Sequence, residues 1–139
     1  MSLLQVRDLT VRFGRRRRTA VDAISFDLGP GQRLGIIGES GSGKTVTALA
    51  LMGLLPETAA VSGSVQLAGR ELVGLPDAAV ARLRGDAMSM VFQEPMTALD
   101  PTMRVGRQVA EVLLLHAGRR GESVRAQVID MLDRVGLAD

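Results

Sequence analysis

The stretch that decides the fold is Gly38-Glu39-Ser40-Gly41-Ser42-Gly43-Lys44-Thr45. Before it lies Arg33-Leu34-Gly35-Ile36-Ile37, a short apolar run that reads as a strand buried on both faces, as in a parallel sheet. After it comes Val46 to Leu55, which reads as a mostly apolar helix stopped by Pro56. The eight residues match G-x-x-x-x-G-K-[ST], the P-loop pattern. At average composition a chance match is on the order of a few in 10⁵ per position, so below ~1% over the chain. The competing reading is a glycine-rich turn with a solvated lysine, and the flanking strand and helix weigh against it. Glycines let such a loop wrap until its backbone N–H groups converge as an anion nest. The helix that follows adds its positive N-terminal end. Lys44 then places a point charge on the β- and γ-phosphates of a nucleotide, and the Thr45 hydroxyl can ligate Mg²⁺.

Composition narrows the remaining classes. The chain has 139 residues, one domain at most or part of one. At 46% apolar and 23% charged it can build a core and is no disordered tail. It has no cysteine and one histidine, His116, which excludes a disulfide scaffold and a thiolate zinc site and disfavours a histidine-rich metal centre. No apolar stretch is long enough to span a bilayer. The opening MSLLQVRDLT carries Arg7 and Asp8 and has no apolar core of a secretory signal, so a cytoplasmic chain is expected. The net charge is only +2, although the pI is about 10.3. The cause is that every base except Lys44 is arginine. A nucleic-acid partner would call for a clustered excess of base, so none is expected. The one lysine stands inside the nest, where a compact ammonium fits and arginine's wide fork does not.

Around this centre the pattern is α/β. Leu4, Val6 and, after Asp8, Leu9, Val11 and Phe13 nearly alternate with polar neighbours. Gly14 and Arg15 to Arg18 break the pattern, and Ala20 to Leu28 resumes it, which predicts an antiparallel ribbon. Gly29-Pro30-Gly31 is a turn. Ser62 to Leu67 and Ala87 to Phe92 are predicted strands, and Pro76 to Leu83 a short helix with proline first. Val105, Val109, Val112, Leu113 and His116 share one face of a helix that Gly118 and Gly121 break; Val124 to Val135 marks the last. The four arginines read as a solvated hairpin tip, with anionic lipid a weaker alternative and nucleic acid the weakest. His116 reads as packing on its helix.

A P-loop names a nucleotide and not a task. The second motif is Met90-Val91-Phe92-Gln93-Glu94-Pro95-Met96-Thr97-Ala98-Leu99-Asp100-Pro101, with Gln93 at the end of a predicted strand. The glutamine could reach Mg²⁺ and the attacking water; the plain alternative is a polar strand end before a proline loop. Together, GESGSGKTVTALALMGLLP, MSMVFQEPMTALDP, the lead-in AVDAISFDLGPGQRLGIIGESGSGKT and RVGRQVAEVLLLHAG resemble the N-terminal part of an ATP-binding cassette (ABC) transporter ATPase. The forms are similar to those of the dipeptide/oligopeptide and nickel importer group, along the whole chain.

The resemblance implies a P-loop NTPase fold of the ABC type, present in part. It would hold an antiparallel β ribbon, a mainly parallel sheet and the start of a helical subdomain. Residues 1–100 would be the ATP-binding core and 101–139 the opening of the helical part. Gly38, Ser40, Gly41, Ser42, Gly43, Lys44 and Thr45 would bind ATP. Thr45 and Gln93 would hold Mg²⁺, with Lys44 and Gln93 serving the chemistry. Phe13 matches the aromatic that stacks on adenine, a contact worth ~1–3 kcal/mol by analogy with other base–aromatic pairs; the alternative is packing of the first strand. The implied partners are transmembrane permease subunits and a second ATPase subunit, identical or different. The chain would have no membrane span of its own and would sit peripherally on the inner face of the membrane.

The family's LSGGQ-like signature, Walker B aspartate and glutamate, D-loop and switch histidine have no counterpart in these 139 residues. The resemblance therefore implies a fragment or truncated product that binds ATP but lacks the general base, whose loss costs ~10²–10⁴-fold in rate. It also implies that the Leu34–Ile37 strand lacks a neighbour and leaves an apolar edge exposed. Three other readings compete with transport. One is a stand-alone, non-catalytic nucleotide-binding module. Another is a cassette protein of DNA repair or translation, disfavoured by the near-zero charge. The third is a P-loop kinase, for which no lid is evident.

Overall fold

A computed structural model of the chain describes residues 2–93, 99–117 and 122–137. Residues 1–84 and 85–139 form two compact units. The first contains β1 (Leu4–Phe13), β2 (Arg18–Leu28), α1 (Lys44–Leu51), β3 (Ala59–Leu67), β4 (Arg70–Glu71) and α2 (Asp77–Ala81). The second contains α3 (Val105–Ala117) and α4 (Glu122–Arg134).

The strands form one antiparallel sheet in the order β2-β1-β3-β4. The phase break that the sequence shows at Asp8 is a bulge. Asp8 has φ 49°, and the β1 register slips there against both neighbours. This slip lets Val6 and Leu9 both face inward, where strict alternation would expose one of them. Side chains satisfy the displaced backbone: the Asp8 N–H donates to Ser25 Oγ at 2.8 Å and the Ala23 N–H to Thr10 Oγ1 at 3.0 Å. Opposite, Gly63 has φ 98°, and a Cβ there would lie 2.5 Å from the Asp8 carbonyl oxygen.

Val6, Leu9, Val11 and Val65 are fully buried and, with Val21, Leu72 and Val80, form the core. The carboxylate of Glu71 ties β4 to β3. It accepts the Ser64 hydroxyl and the N–H groups of Val65, Leu72 and Val73. Helix α1 ends earlier than the proline predicts. Gly53 takes φ 62°, its N–H donates to Ala50 O, and the Leu54 N–H reaches back to Leu49 O, a Schellman close. Arg84 Nη1 donates to the carbonyls of Met52 and Gly53, both at 3.1 Å, while Nη2 pairs with Asp77 at 2.8 Å. One guanidinium thus fastens the end of α1 to the start of α2. In the second unit, Gln108 of α3 holds the preceding turn by bonds to Asp100 N, Asp100 O and Met103 O. The buried valines there are Val124 and Val128.

The structure departs from expectation in its strands. The ribbon, β3 and all the predicted helices are present, but no parallel pair occurs among the described residues. Residues 33–37 are not a strand, and Leu34, Ile36 and Ile37 are exposed, Ile37 almost completely. Residues 87–92 form no strand either, and Val91 and Phe92 are exposed. The physical reason is the same for both. A parallel strand satisfies its backbone only through flanking strands from elsewhere in the chain. Among the described residues no strand pairs with either run. Gly118 and Gly121, predicted to break the helix, lie outside the described residues, as do the side chain of His116 and residues 94–98 of the second motif.

Candidate functional site

Residues 38–45 wrap at the start of α1. The Ser42 N–H donates to Glu39 O at 3.2 Å, closing the turn. Gly41 (φ 81°) and Gly43 (φ 92°) take left-handed backbone. Gly43 is gripped on two sides. Its carbonyl accepts both the Thr47 N–H (2.8 Å) and the Thr47 hydroxyl (3.0 Å). Its Cα lies so close to β2 that a Cβ would stand 2.4 Å from the Ala20 carbonyl oxygen. A Cβ at Gly38 would meet Ser42 Oγ at 2.6 Å.

This wrapping turns donors inward. Gly43 is the N-cap of α1 and carries no side chain to cap it. The N–H groups of Lys44, Thr45 and Val46 find no acceptor among the described residues. Uncapped first-turn amides, added to the helix dipole, favour an anion. Lys44 brings the full positive charge. Its Nζ donates to Gly38 O and Glu39 O, both at 2.7 Å, and to Ser42 Oγ at 3.3 Å. The ammonium is therefore held over the loop by the loop's own oxygens. A small cavity of about 160 Å³ is lined by Ala20, Gly41, Ser42, Gly43, Lys44 and Thr45, among others. The Thr45 side chain is exposed at this site. Among the described residues no cluster of three His, Asp or Glu could hold a metal. Mg²⁺ bound with nucleotide needs no such cluster, since phosphates, water and one or two protein oxygens complete its shell. An exposed hydroxyl beside uncapped amides fits that donor set.

Of the residues singled out in the sequence, Gly38, Gly41, Ser42, Gly43, Lys44 and Thr45 thus gather at one place. Ser40 is exposed in the turn and its side chain makes no hydrogen bond. Phe13 ends β1, half-buried, and pairs with Arg18 on one side and Ala59 on the other. Gln93 belongs to the second unit and is exposed. Two contributors carry no sequence signal of their own. Ala20 forms a wall of the cavity because β2 bulges there, and Thr47 anchors Gly43 from inside the helix. Next to the loop an apolar cleft of about 590 Å³ runs between β2 and residues 34–37.

With this geometry established, comparison with known proteins gives a consistent result. The profile of the ABC transporter family matches residues 21–139. The chain is 47% identical over 139 residues to the oligopeptide transport ATP-binding protein OppD of Haemophilus influenzae, covering 99% of this chain and 43% of that protein. It is 48% identical to OppD of Mycobacterium tuberculosis, covering 98% of this chain and 23% of the relative. It is 43% identical to the peptidoglycan transport ATP-binding protein YejF of Agrobacterium fabrum, covering 99% and 26%. The chain thus spans from about a quarter to two fifths of the length of these relatives.

Proposed function

The chain belongs to the ABC transporter family, and from that premise we propose that it is the nucleotide-binding part of an ATPase that powers import of oligopeptides or related solutes. The observation that carries the reading is the uncapped start of α1, with Lys44 fastened above it. In this reading the amides of residues 43–46 and the Lys44 ammonium bind the phosphates of ATP. Thr45 and Gln93 hold Mg²⁺, which when bound neutralises charge on the β- and γ-phosphates. Gln93 orients the attacking water, and Phe13 stacks on the base. The peptide class follows the names of the OppD relatives. Among the described residues no helix is long and apolar enough to cross a membrane. As part of the same proposal, the protein sits on the inner face of the membrane, docked on permease subunits and paired with a second ATPase subunit, without nucleic acid.

The experiment is uptake of a labelled oligopeptide by cells carrying the gene intact, or with Lys44→Ala, as the only copy. Uptake lost in the variant, with the protein present at equal abundance, is the expected result. Undiminished uptake would overturn the assignment of transport to this site.

A further inference from the structure

One arginine of the hairpin tip is placed differently from the other three. Arg15, Arg16 and Arg17 lie within the turn itself, where Arg17 has φ 47° and its N–H donates to Gly14 O at 3.0 Å. Arg18 is the first residue of β2 and stands directly across from Phe13. The next rung pairs Arg12 with Thr19, and Arg12 Nε donates to Thr19 Oγ1 at 3.4 Å. After that rung the register shifts, Ala20 is left over as a bulge, and Val11 pairs with Val21. Rungs alternate faces, so the Phe13–Arg18 pair shares its face with the Val11–Val21 pair and opposes Arg12–Thr19.

That shared face is the one the phosphate-binding loop touches. A Cβ at Gly43 would lie 3.4 Å from Val21 Cγ2 and closer still to Ala20 O. Arg18 sits two residues along the strand from Ala20, roughly 7 Å, and an extended arginine side chain reaches about as far. Its side chain is exposed and forms no ion pair among the described residues. A planar guanidinium of fixed charge is the side chain best matched to phosphate oxygens.

We propose that Arg18 is a nucleotide-binding residue, supplying from the end of β2 a second positive charge to the phosphates held by the loop and Lys44. The inference rests on the nucleotide-binding reading above and adds to it a side chain outside the loop. It removes Arg18 from the solvated tip and leaves Arg15 to Arg17 there.

The test is titration of the purified protein with ATP and Mg²⁺ at low and high salt, using the wild type, Arg18→Ala, Arg18→Lys, Arg16→Ala and Lys44→Ala. At low salt Arg18→Ala should bind ATP about fivefold more weakly, the size of a partly exposed charge-assisted contact. Arg18→Lys should recover part of the loss, and Arg16→Ala should change affinity less than about twofold. The gap between wild type and Arg18→Ala should narrow at high salt, because exposed charges are screened. Equal affinity of wild type and Arg18→Ala overturns the inference. So does an equal loss in Arg16→Ala, which would mean diffuse charge at the tip, or a gap indifferent to salt, which would mean lost packing. If the wild type binds, Lys44→Ala does not and Arg18→Ala is unaffected, only this inference falls. If the wild type fails to bind ATP, the nucleotide reading falls and takes the inference with it.

Discussion

Replacing Gly43 by alanine probes the grip of the sheet on the phosphate-binding loop. The added Cβ would stand 2.4 Å from the Ala20 carbonyl oxygen, a backbone atom of β2 with no side-chain freedom to yield. An ordinary C···O contact is about 3.3 Å or more, so loop or strand must give by roughly 1 Å. Overpacking of this kind costs about 1–3 kcal/mol, and holding an L-residue at φ 92° adds about 1–3 kcal/mol. Gly41→Ala is the matched control. Its φ is 81°, but its Cβ would meet nothing within 4 Å. It therefore bears the backbone cost alone. Urea unfolding followed by far-ultraviolet circular dichroism or dye fluorescence, since the chain has no tryptophan or tyrosine, together with ATP titration of both variants, measures the difference. Gly43→Ala should be the less stable by about 1–3 kcal/mol and should bind ATP at least about tenfold more weakly than Gly41→Ala, because a shifted loop no longer converges its amides. Equal stability and equal affinity of the two variants would refute the close approach of Gly43 to β2.

Two further predictions concern the sheet. Burial works against the charge on Glu71, but the Ser64 hydroxyl and the amides of Val65, Val73 and Leu72 outweigh it and hold the carboxyl below its ordinary value of 4.5. That stability is present above the unfolded-state value and is lost as pH falls through the folded one. Glu71→Gln should therefore cost about 1–2 kcal/mol near neutral pH and flatten the acid side of the stability profile below about pH 4.5; an unchanged acid limb would contradict the hydrogen-bonded carboxylate. Leu9→Ala, at a fully buried position, should cost about 2–5 kcal/mol in urea unfolding. A cost under about 1 kcal/mol would show that the phase shift at Asp8 does not deliver Leu9 to the core.

What was legible in the sequence is what depends on neighbours in the chain. The break of alternation at Asp8 appears directly as the β1 bulge, and Gly14 with the arginines appears as the ribbon turn. The loop pattern predicts a helix directly after it, from Val46, and α1 is there, beginning two residues earlier at Lys44. Features set by distant partners were not legible. The apolar run at 33–37 looks like a central strand, but whether it becomes one depends on strands far away in sequence. The wall that Ala20 makes against Gly43 depends on a register slip in β2 that no residue type announces. Pro56 predicts the end of α1, whereas Gly53 ends it first, because a left-handed residue with its two closing bonds stops a helix before the proline is reached. Gln93 is marked by its motif alone, and it is exposed in the second unit.

The central claim is that the loop at 38–45 binds nucleotide phosphate through the Lys44 ammonium and the first amides of α1. Calorimetric titration of ATP with Mg²⁺ into the wild type, Lys44→Ala and His116→Ala tests it most directly. Removing a charged donor should weaken binding by about ten- to a hundredfold, while His116→Ala should match the wild type. Equal affinity of the wild type and Lys44→Ala would contradict the account.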